Sequence, residues 1–464
     1  MIASEKMKIL IENAKAIVTM NDNGDVLYGE NLLIEDNYIS YIGPEFKEAD
    51  RVIDGSTLYV YPGLVNTHHH LFQTFTRNIP DVQYLELFPW LDYLYEVWRH
   101  MDDDIVYKSA LTGISELVKY GCTTVFDHHY LHRSDIECKF VDQQFKAASE
   151  IGVRFHSSRG GMDLGVDDGG LPPMGAVQPT EDILKDSERV IKKFHDTSKY
   201  SMKQVVLAPC APFNVTRELM VKSAELARKY GVRLHTHLCE TLDEEDYCLE
   251  HFGKRPLAYM EELGWVGEDV WFAHGIHFND DELKQLADTK TGVAHNPCSN
   301  QKLSSGTARI SEMVKLGVPV GLAVDGSASN DNSNLLSELR AGYLMQRAKY
   351  SNECLSSKEM LRVATRGGAE ILGRDDIGYL AEGMAADMFM IDTERVQYIG
   401  ALHDPEGLLT TVGVNHPVDY TIINGRVVVE DGKLLTIDEN ELIRIANEAS
   451  DDFISRSSNY RFNK

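Results

Sequence analysis

The stretch Tyr61-Pro-Gly-Leu-Val-Asn-Thr-His-His-His70 decides how the rest of the chain is interpreted. The apolar run over residues 60–66, broken by a Pro-Gly pair, predicts a short buried strand. Because strand side chains alternate between two faces, His68 and His70 lie on one side and His69 lies on the other. Two imidazoles on one face at the end of a buried strand form half of a metal site. The alternative is a polar loop, or imidazoles that hydrogen-bond within the core.

Length and composition limit the class of protein. A chain of 464 residues predicts two or three domains, or one large barrel with a satellite domain. The apolar fraction of 43% and the charged fraction of 25% are typical of a globular protein. The formal net charge is −26, from 46 Lys and Arg residues against 72 Asp and Glu residues. A field of that sign repels nucleic acids and anionic membranes, so we expect neither as a partner.

The cysteines and the start of the chain predict a cytoplasmic protein. Seven cysteines are scattered and none forms a Cys-x-x-Cys pair, which argues against a disulfide framework and an all-cysteine zinc site. Residues 1–6 show no apolar segment typical of a signal peptide. No run of about 18 apolar residues occurs, so we expect no membrane span.

Both ends of the chain predict β-structure. Short β-rich runs separated by turn residues occur near the N-terminus, at residues 8–13, 16–20, 31–35 and 38–42. Similar runs occur near the C-terminus, at residues 387–391, 420–425 and 426–432. Six or seven strands from the two ends predict one small β-sandwich, and a helix is expected over residues 439–455.

Between these parts, β-like runs alternate with helical segments. The eight candidate strands cover residues 63–66, 123–127, 154–157, 204–208, 233–236, 270–273, 291–294 and 321–324. The candidate helices include residues 105–120, 140–151, 181–194, 216–230, 280–288 and 308–316. This alternation predicts an α/β fold, a (β/α)8 TIM barrel. We therefore expect a catalytic barrel over residues 62–378 and a composite β-sandwich domain from residues 1–61 and 379–464, with the C-terminal helix.

Titratable side chains follow four of the predicted strands, at the end where such barrels carry their catalytic groups. They are His68 and His70 after strand one, His235 and His237 in strand five with Glu240 just beyond, His274 after strand six, and Asp325 after strand eight. His235 and His237 share a face, so spacing alone leaves both open. A single histidine or aspartate at a strand end is more often structural. Together, however, these residues at the ends of four strands predict a metal site. Three neutral imidazoles and one carboxylate suit Zn²⁺ or Fe²⁺, with water at an open position.

These residues and a bound metal ion could together carry out a hydrolytic reaction. A bound metal lowers the pKa of its water to near neutrality. Asp325 can hold the proton that the water loses, and His274 can orient the hydroxide. Glu240 can carry a proton to a leaving nitrogen.

Five motifs resemble the amidohydrolase superfamily, in the order found in its deaminase and chlorohydrolase branch. They are PGxxNTHxH from Pro62, HLxE from His237, AHGxH from Ala273, HNPxSN over residues 295–300 and VDGxASN from Val324. The resemblance covers nearly the whole chain. It implies that the metal ligands are His68, His70, His237 and Asp325, and that the catalytic residues are Glu240, His274 and Asp325. It also implies that His237, and not His235, is the metal ligand. His235 would then be structural or lie behind the ligands.

The same resemblance implies a single metal ion. Binuclear members of the superfamily use a bridging lysine at the fourth strand, and residues 204–209 contain none. This argues against ring opening of the hydantoinase and dihydroorotase type. Zinc is the expected metal, and iron uses the same ligands. His128 and His129 are expected at the surface or behind the ligands, and the sequence leaves open whether the protein forms a homo-oligomer.

A closer resemblance, to the 8-oxoguanine deaminase group and its hydroxydechloroatrazine ethylaminohydrolase-like proteins, rests on residues 70–77, 86–90, 158–165, 168–173 and 207–212. Cys210 stands where many adenosine-type relatives carry histidine, which disfavours a nucleoside. The resemblance implies hydrolytic deamination of 8-oxoguanine, or of an isocytosine- or guanine-like ring, with release of ammonia. One alternative is an s-triazine amino- or chlorohydrolase. Another is a non-catalytic relative that binds metal or ring, although it would be expected to have lost one of the six site residues.

Three residues are candidates for contact with such a ring. Gln73 offers both a donor and an acceptor. Trp90 could form an aromatic wall, although it fits a plain apolar core as well. Arg159 could face a ring carbonyl, although it fits an ion pair with an aspartate at position 163, 167 or 168 as well.

Overall fold

The computed structural model describes residues 7–457, so the predicted absence of a signal peptide in residues 1–6 lies outside the described residues. A parallel eight-stranded sheet forms the centre, and two further sheets come from both ends of the chain. The predicted (β/α)8 barrel with a smaller β-structure from the termini is confirmed. The domain boundaries at residues 61 and 378 stay predictions. No helix within residues 7–457 is long and apolar enough to cross a membrane.

The strands before the barrel supply one complete sheet and part of another. They are β1 (Lys8–Ala14), β2 (Ala16–Val18), β3 (Val26–Leu27), β4 (Glu30–Glu35), β5 (Tyr38–Gly43), β6 (Arg51–Asp54) and β7 (Leu58–Pro62). A four-stranded sheet has the order β5-β4-β1-β6. β1 and β4 are antiparallel with Leu10 opposite Leu33, whereas β1 and β6 are parallel.

The barrel strands follow one another in space in the order of the sequence. They are β8 (Leu64–Asn66), β9 (Cys122–Asp127), β10 (Arg154–Gly161), β11 (Lys203–Pro209), β12 (Arg233–Leu238), β13 (Val270–His274), β14 (Gly292–His295) and β15 (Val320–Leu322). A hydrogen bond of 3.1 Å from Thr67 N to Leu322 O brings the first and last strands together. All the strand ends that carry the predicted site residues therefore meet at one end of the barrel.

The C-terminal strands complete the third sheet. They are β16 (Met388–Asp392), β17 (Tyr420–Ile423), β18 (Arg426–Glu430) and β19 (Lys433–Leu434), in the sheet order β19-β18-β17-β16-β7-β2-β3. The two terminal sheets share one buried cluster that includes Ile9, Ile34, Val60, Met388 and Ile422. Together they contain more than the six or seven predicted strands, because strands of two or three residues such as β3 and β19 are too short to show an alternating pattern.

The helices confirm the predicted segments to within two residues at each end. They are α1 (Leu87–Trp98), α2 (Asp103–Lys119), α3 (Phe140–Ile151), α4 (Thr180–Phe194), α5 (Arg217–Tyr230), α6 (Leu242–Phe252), α7 (Pro256–Glu262), α8 (Asp280–Thr289), α9 (Pro297–Lys302), α10 (Ile310–Leu316), α11 (Ser327–Asn330), α12 (Leu335–Tyr350), α13 (Ser357–Arg362), α14 (Gly368–Ile371) and α15 (Glu439–Ser455). Gly231 ends α5 in the left-handed conformation, at a φ of 67°, which explains why a glycine precedes the next strand. Helices α1, α6, α7, α9, α11, α12, α13 and α14 were not among the predicted segments.

A buried ion pair ties the barrel to the terminal sheets. Arg154, at the start of β10, has its Nε atom 2.8 Å from Oδ2 of Asp387, and both side chains are almost fully buried. Arg154 Nη2 also donates to Oδ1 of Asn424, in the turn between β17 and β18, at 3.2 Å. Two charges out of water are tolerated here because the guanidinium and the carboxylate are paired and hydrogen-bonded.

Candidate active site

The C-terminal ends of the barrel strands surround a small cavity that is lined by buried residues. Predicted site residues line it: His70, His237, Glu240, His274 and Asp325. His68 lies against the same group, with Nε2 3.3 Å from Oδ1 of Asp325.

The hydrogen bonds of His70 and His237 fix which ring nitrogen carries the proton. His70 Nδ1 lies 2.7 Å from the carbonyl oxygen of His128, and His237 Nδ1 lies 2.6 Å from that of Cys210. Since a carbonyl only accepts, each Nδ1 carries the proton and each Nε2 presents a lone pair. Burial lowers the pKa of His70 to about 3 and that of His237 well below its usual value, so both rings are neutral. The two Nε2 atoms are 3.1 Å apart, and two facing lone pairs fit a cation between them.

His68 obtains the same tautomer through His235. The Nδ1 atom of His235 lies 2.9 Å from the carbonyl oxygen of Trp271, so His235 donates there and its Nε2 is left as an acceptor. His68 Nδ1 lies 2.8 Å from that Nε2 and donates to it. The Nε2 atom of His68 is buried without a hydrogen-bond partner in the protein and also presents a lone pair. Together with the two rings above and Asp325, it completes a donor set that fits one divalent metal ion.

His128 belongs to the same cluster, so of its two expected positions, at the surface or behind the ligands, the structure excludes the surface. The side chain is fully buried, and its ligand atom lies within 4.8 Å of those of His68, His70 and His237. Its Nε2 lies 2.8 Å from the carbonyl oxygen of Ala208. His129 is buried as well, with Nδ1 3.1 Å from Nε2 of Gln144. The strand-end rule that selected His68 could have selected His128, because it directly follows β9.

The HNPxSN motif orients the two groups that flank the proposed metal position. Ser299 Oγ donates to Asp325 Oδ2 at 2.6 Å, and Asn300 Oδ1 lies 2.8 Å from His274 Nδ1. The Nε2 atom of His274 faces the carboxylates of Glu240 and Asp325, at 3.4 and 3.9 Å. In the sequence this motif indicates only the family. In the structure its Ser299 and Asn300 side chains hold Asp325 and His274 in position.

The backbone at this site adopts a conformation that residues other than glycine rarely take. His274 has a φ of 74° and Asp325 a φ of 64°, and Cys239, directly before Glu240, has a φ of 55°. Left-handed backbone at non-glycine residues is costly and concentrates at functional sites, where the surrounding structure enforces it.

Glu240 is a buried acid poised to exchange protons near neutral pH. Burial raises its pKa to about 7. Its Oε1 atom is buried without a hydrogen-bond partner in the protein, and its backbone N–H donates to Oε2 of Glu244 at 2.9 Å. Burial lowers the pKa of His274, but the carboxylates of Glu240 and Asp325 raise it, and the net shift is above its usual value. A group with a pKa near the working pH is suited to general acid and base catalysis.

Two of the three predicted substrate contacts lie at the cavity. Gln73 and Trp90 line it, and both are almost fully buried. Gln73 Oε1 and Trp90 Nε1 have no hydrogen-bond partner in the protein. Trp90 belongs to α1, which also contributes Leu87 and Leu91 to the cavity. The helix therefore provides an apolar wall.

Arg159 is not brought to the cavity. Its Nε lies 2.7 Å from Asp186 Oδ2 on α4, and its Nη2 donates to Gln178 Oε1 at 2.8 Å. The ion pair predicted as an alternative exists, but with Asp186 in place of the nearby aspartates. Asp163 instead accepts from the backbone N–H of Thr216 at 2.6 Å. The guanidinium is occupied by these partners, and the expected contact of Arg159 with a ring is corrected accordingly.

Most of the chain matches the model of one known protein family. The model described as "Amidohydrolase family" matches residues 59–428. The chain belongs to the amidohydrolase family. This amidohydrolase is 44% identical over 390 residues to an 8-oxoguanine deaminase of Pseudomonas aeruginosa, covering 84% of this chain and 86% of that protein. It is 41% identical over 447 residues to hydroxydechloroatrazine ethylaminohydrolase of Pseudomonas sp. strain ADP, covering 93% of this chain and 92% of that protein.

Solved structures give the same fold. A triazine hydrolase variant has a TM-score of 0.92 against this amidohydrolase at 31% identity, over 96% of this chain and 99% of that one. The atrazine chlorohydrolase of Arthrobacter aurescens TC1, complexed with zinc, has a TM-score of 0.92 at 31% identity, over 95% of this chain and 100% of that one. The family expected from the motifs is confirmed.

Proposed function

We propose that this amidohydrolase removes the amino group of a small oxo-substituted heterocycle by hydrolysis, and that the ring is 8-oxoguanine or an isocytosine- or guanine-like ring. The observation that carries the proposal is the convergence of neutral imidazole lone pairs and one carboxylate beside Glu240, a buried acid with a pKa of about 7. The apolar wall formed by α1 suits a flat ring. The similarity to an 8-oxoguanine deaminase supports the choice of ring.

In this proposal one zinc ion is held by four groups. The ligands are His68, His70, His237 and Asp325, and three nitrogens with one oxygen suit that metal. The zinc in the related chlorohydrolase structure supports the choice. The end of β11 next to the cavity carries no lysine that could bridge a second ion. When bound, the ion supplies Lewis-acid activation of water.

The chain's own residues move the protons. Water adds to the carbon that carries the amino group, ammonia leaves, and an oxo group remains. Asp325 takes a proton from the water through Oδ2, the oxygen that Ser299 orients. His274 hydrogen-bonds to the attacking oxygen through Nε2. Glu240 gives a proton to the ring nitrogen beside that carbon, and a second proton then reaches the departing amine.

The second candidate is an s-triazine hydrolase that expels an alkylamine or chloride. This candidate is supported by the similarity to the enzymes from Pseudomonas sp. strain ADP and Arthrobacter aurescens, whose names give triazines as substrates. Chloride leaves without a proton, so the presence of Glu240 as a buried acid favours an amine as the leaving group.

A panel of rings separates these functions. We expect ammonia from 8-oxoguanine, isocytosine or guanine, and no alkylamine from hydroxyatrazine, when the full chain loaded with zinc is incubated with each. The control is the same protein treated with a chelator. Alkylamine release from hydroxyatrazine alone would favour the triazine hydrolase. Binding of a ring without release of any amine would favour a non-catalytic protein.

Replacing His235 tests the tautomer of His68. We expect His235→Leu to weaken zinc binding by about 10- to 100-fold, because the proton on His68 Nδ1 loses its acceptor. His235→Gln retains an acceptor and is expected to lose less. The measurement is zinc retention in competition with a chelator of known affinity, at unchanged thermal stability. Equal zinc affinity in the wild type and the Leu variant would contradict the relay from Trp271 to His68.

A further inference from the structure

Glu338, on α12, is a buried glutamate that the proposed reaction does not use. Its side chain is fully buried, and it does not line the cavity that Asp325 lines. A carboxylate out of water is costly unless its oxygens accept hydrogen bonds. The groups that donate to Glu338 therefore show what this carboxylate holds in place.

Both carboxylate oxygens of Glu338 accept a hydrogen bond from a short helix that follows a barrel strand. Oε2 accepts from the backbone N–H of Cys298, in the first turn of α9, at 3.0 Å. Oε1 accepts from Nδ2 of Asn330, the last residue of α11, at 2.8 Å. Glu338 thus links the helix that follows β14 to the helix that follows β15.

Each of these two links continues to Asp325. Ser299 follows Cys298 in α9, and its Oγ donates to Asp325 Oδ2 at 2.6 Å. Asn330 Nδ2 also donates to the backbone oxygen of Val324, directly before Asp325, at 2.6 Å. A backbone carbonyl can only accept, so this contact identifies the amide nitrogen of Asn330 as the atom that faces both acceptors. One link holds the side chain of Asp325, and the other holds its backbone.

Asp325 has a conformation that depends on such support. Its φ of 64° is rare for a residue other than glycine and persists only where the surrounding structure enforces it. Its Oδ1 atom lies 3.3 and 3.4 Å from the Nε2 atoms of His68 and His70. A small rotation of this residue would therefore displace both a proposed metal ligand and the oxygen proposed to take a proton from water.

We propose that Glu338 is a positioning residue that holds Asp325 in the orientation required at the metal ion, through the two links described above. The inference rests on the proposed function and deepens it, because Asp325 is the proposed ligand and proton acceptor. Glu338 lies outside the cavity. Its loss is therefore expected to impair the chemical step and to leave binding of the ring almost unchanged.

The first test replaces the carboxylate by an amide of nearly the same shape. An amide has one accepting oxygen, so Glu338→Gln turns an N–H group toward one of the two donors and breaks that link. We expect kcat to fall by about 10- to 100-fold with little change in KM, when the full chain loaded with zinc acts on 8-oxoguanine. Glu353→Gln changes an exposed carboxylate beyond the end of α12 and is expected to retain both constants.

The absorption spectrum of a bound metal distinguishes positioning from folding. Co²⁺ replaces zinc in the wild type and in Glu338→Gln, and its visible bands depend on the number and placement of its ligands. We expect the bands of the variant to change in position or relative intensity at equal bound Co²⁺. A protein that only folds less well would bind less Co²⁺ but give bands of unchanged shape.

Asn330→Ala gives an independent reading if Glu338→Gln fails to fold. It breaks the link to the backbone before Asp325, and the same changes in kcat and in the cobalt bands are expected. Wild-type kcat in the folded variants, or a lower kcat with cobalt bands of unchanged shape, would overturn the inference. If the wild type releases ammonia from none of the rings, the proposed function itself has failed, and the cobalt spectra still decide the role of Glu338.

Discussion

Replacing Glu240 by Gln is expected to lower kcat by about 10²- to 10⁴-fold. The amide has nearly the shape of the acid but cannot take up and release a proton. Glu240 is buried, its pKa is raised to about 7 by that burial, and one carboxylate oxygen faces Nε2 of His274 at 3.4 Å. Both the ring nitrogen and the leaving amine would therefore lose their proton donor.

The control separates catalysis from metal binding. Glu250→Gln changes an exposed carboxylate on α6 and is expected to retain wild-type kcat. Zinc content should be the same in the wild type and both variants, because Glu240 is not among the proposed ligands. Wild-type turnover by Glu240→Gln at unchanged zinc content would show that another group moves the proton.

Removing the metal is expected to lower kcat by about a thousandfold or more, since Lewis-acid activation supplies several kcal/mol of transition-state stabilisation. His68 Nε2 and His70 Nε2 lie 3.3 and 3.4 Å from the same oxygen of Asp325. Apart from the ion, only Asp325 and His274 are proposed to act on the water, and neither polarises it as a cation does. The assay uses protein dialysed against a chelator, with metal analysis before and after.

Restoration distinguishes loss of the ion from loss of the fold. One equivalent of Zn²⁺ or Fe²⁺ is expected to return activity to the dialysed protein. Asp325→Asn is the matched variant, because it keeps the shape of the side chain but replaces the negatively charged metal-binding carboxylate by a neutral amide. Full activity in protein from which the ion has been removed would rule out the proposed role of the metal.

The strand-end residues could be predicted because two simple periodicities place them. Side chains alternate along a strand, and the C-terminal ends of parallel barrel strands meet in one place. His68, His70, His274 and Asp325 follow from these rules alone. The choice of His237 over His235 came from family resemblance, and the structure adds a physical reason, since His235 is occupied between Trp271 and His68.

The remaining features depend on contacts between distant residues, which no local pattern encodes. Arg159 pairs with Asp186, which comes from α4, whereas the sequence offered nearer aspartates. Asn214 lies with Nδ2 3.2 Å from the hydroxyl oxygen of Tyr95, which comes from α1. Helix α1 begins without a side-chain cap and is rich in aromatic residues. Its sequence therefore resembles a buried apolar segment and shows no signal for the start of a helix.

The most direct test of the central claim is the initial rate of ammonia release from 8-oxoguanine by the full chain loaded with one equivalent of zinc. The account predicts many turnovers per protein molecule, an oxo product formed in equal amount, and loss of both when the ion is removed. Absence of ammonia from this ring and from isocytosine and guanine, at confirmed zinc content, would contradict it.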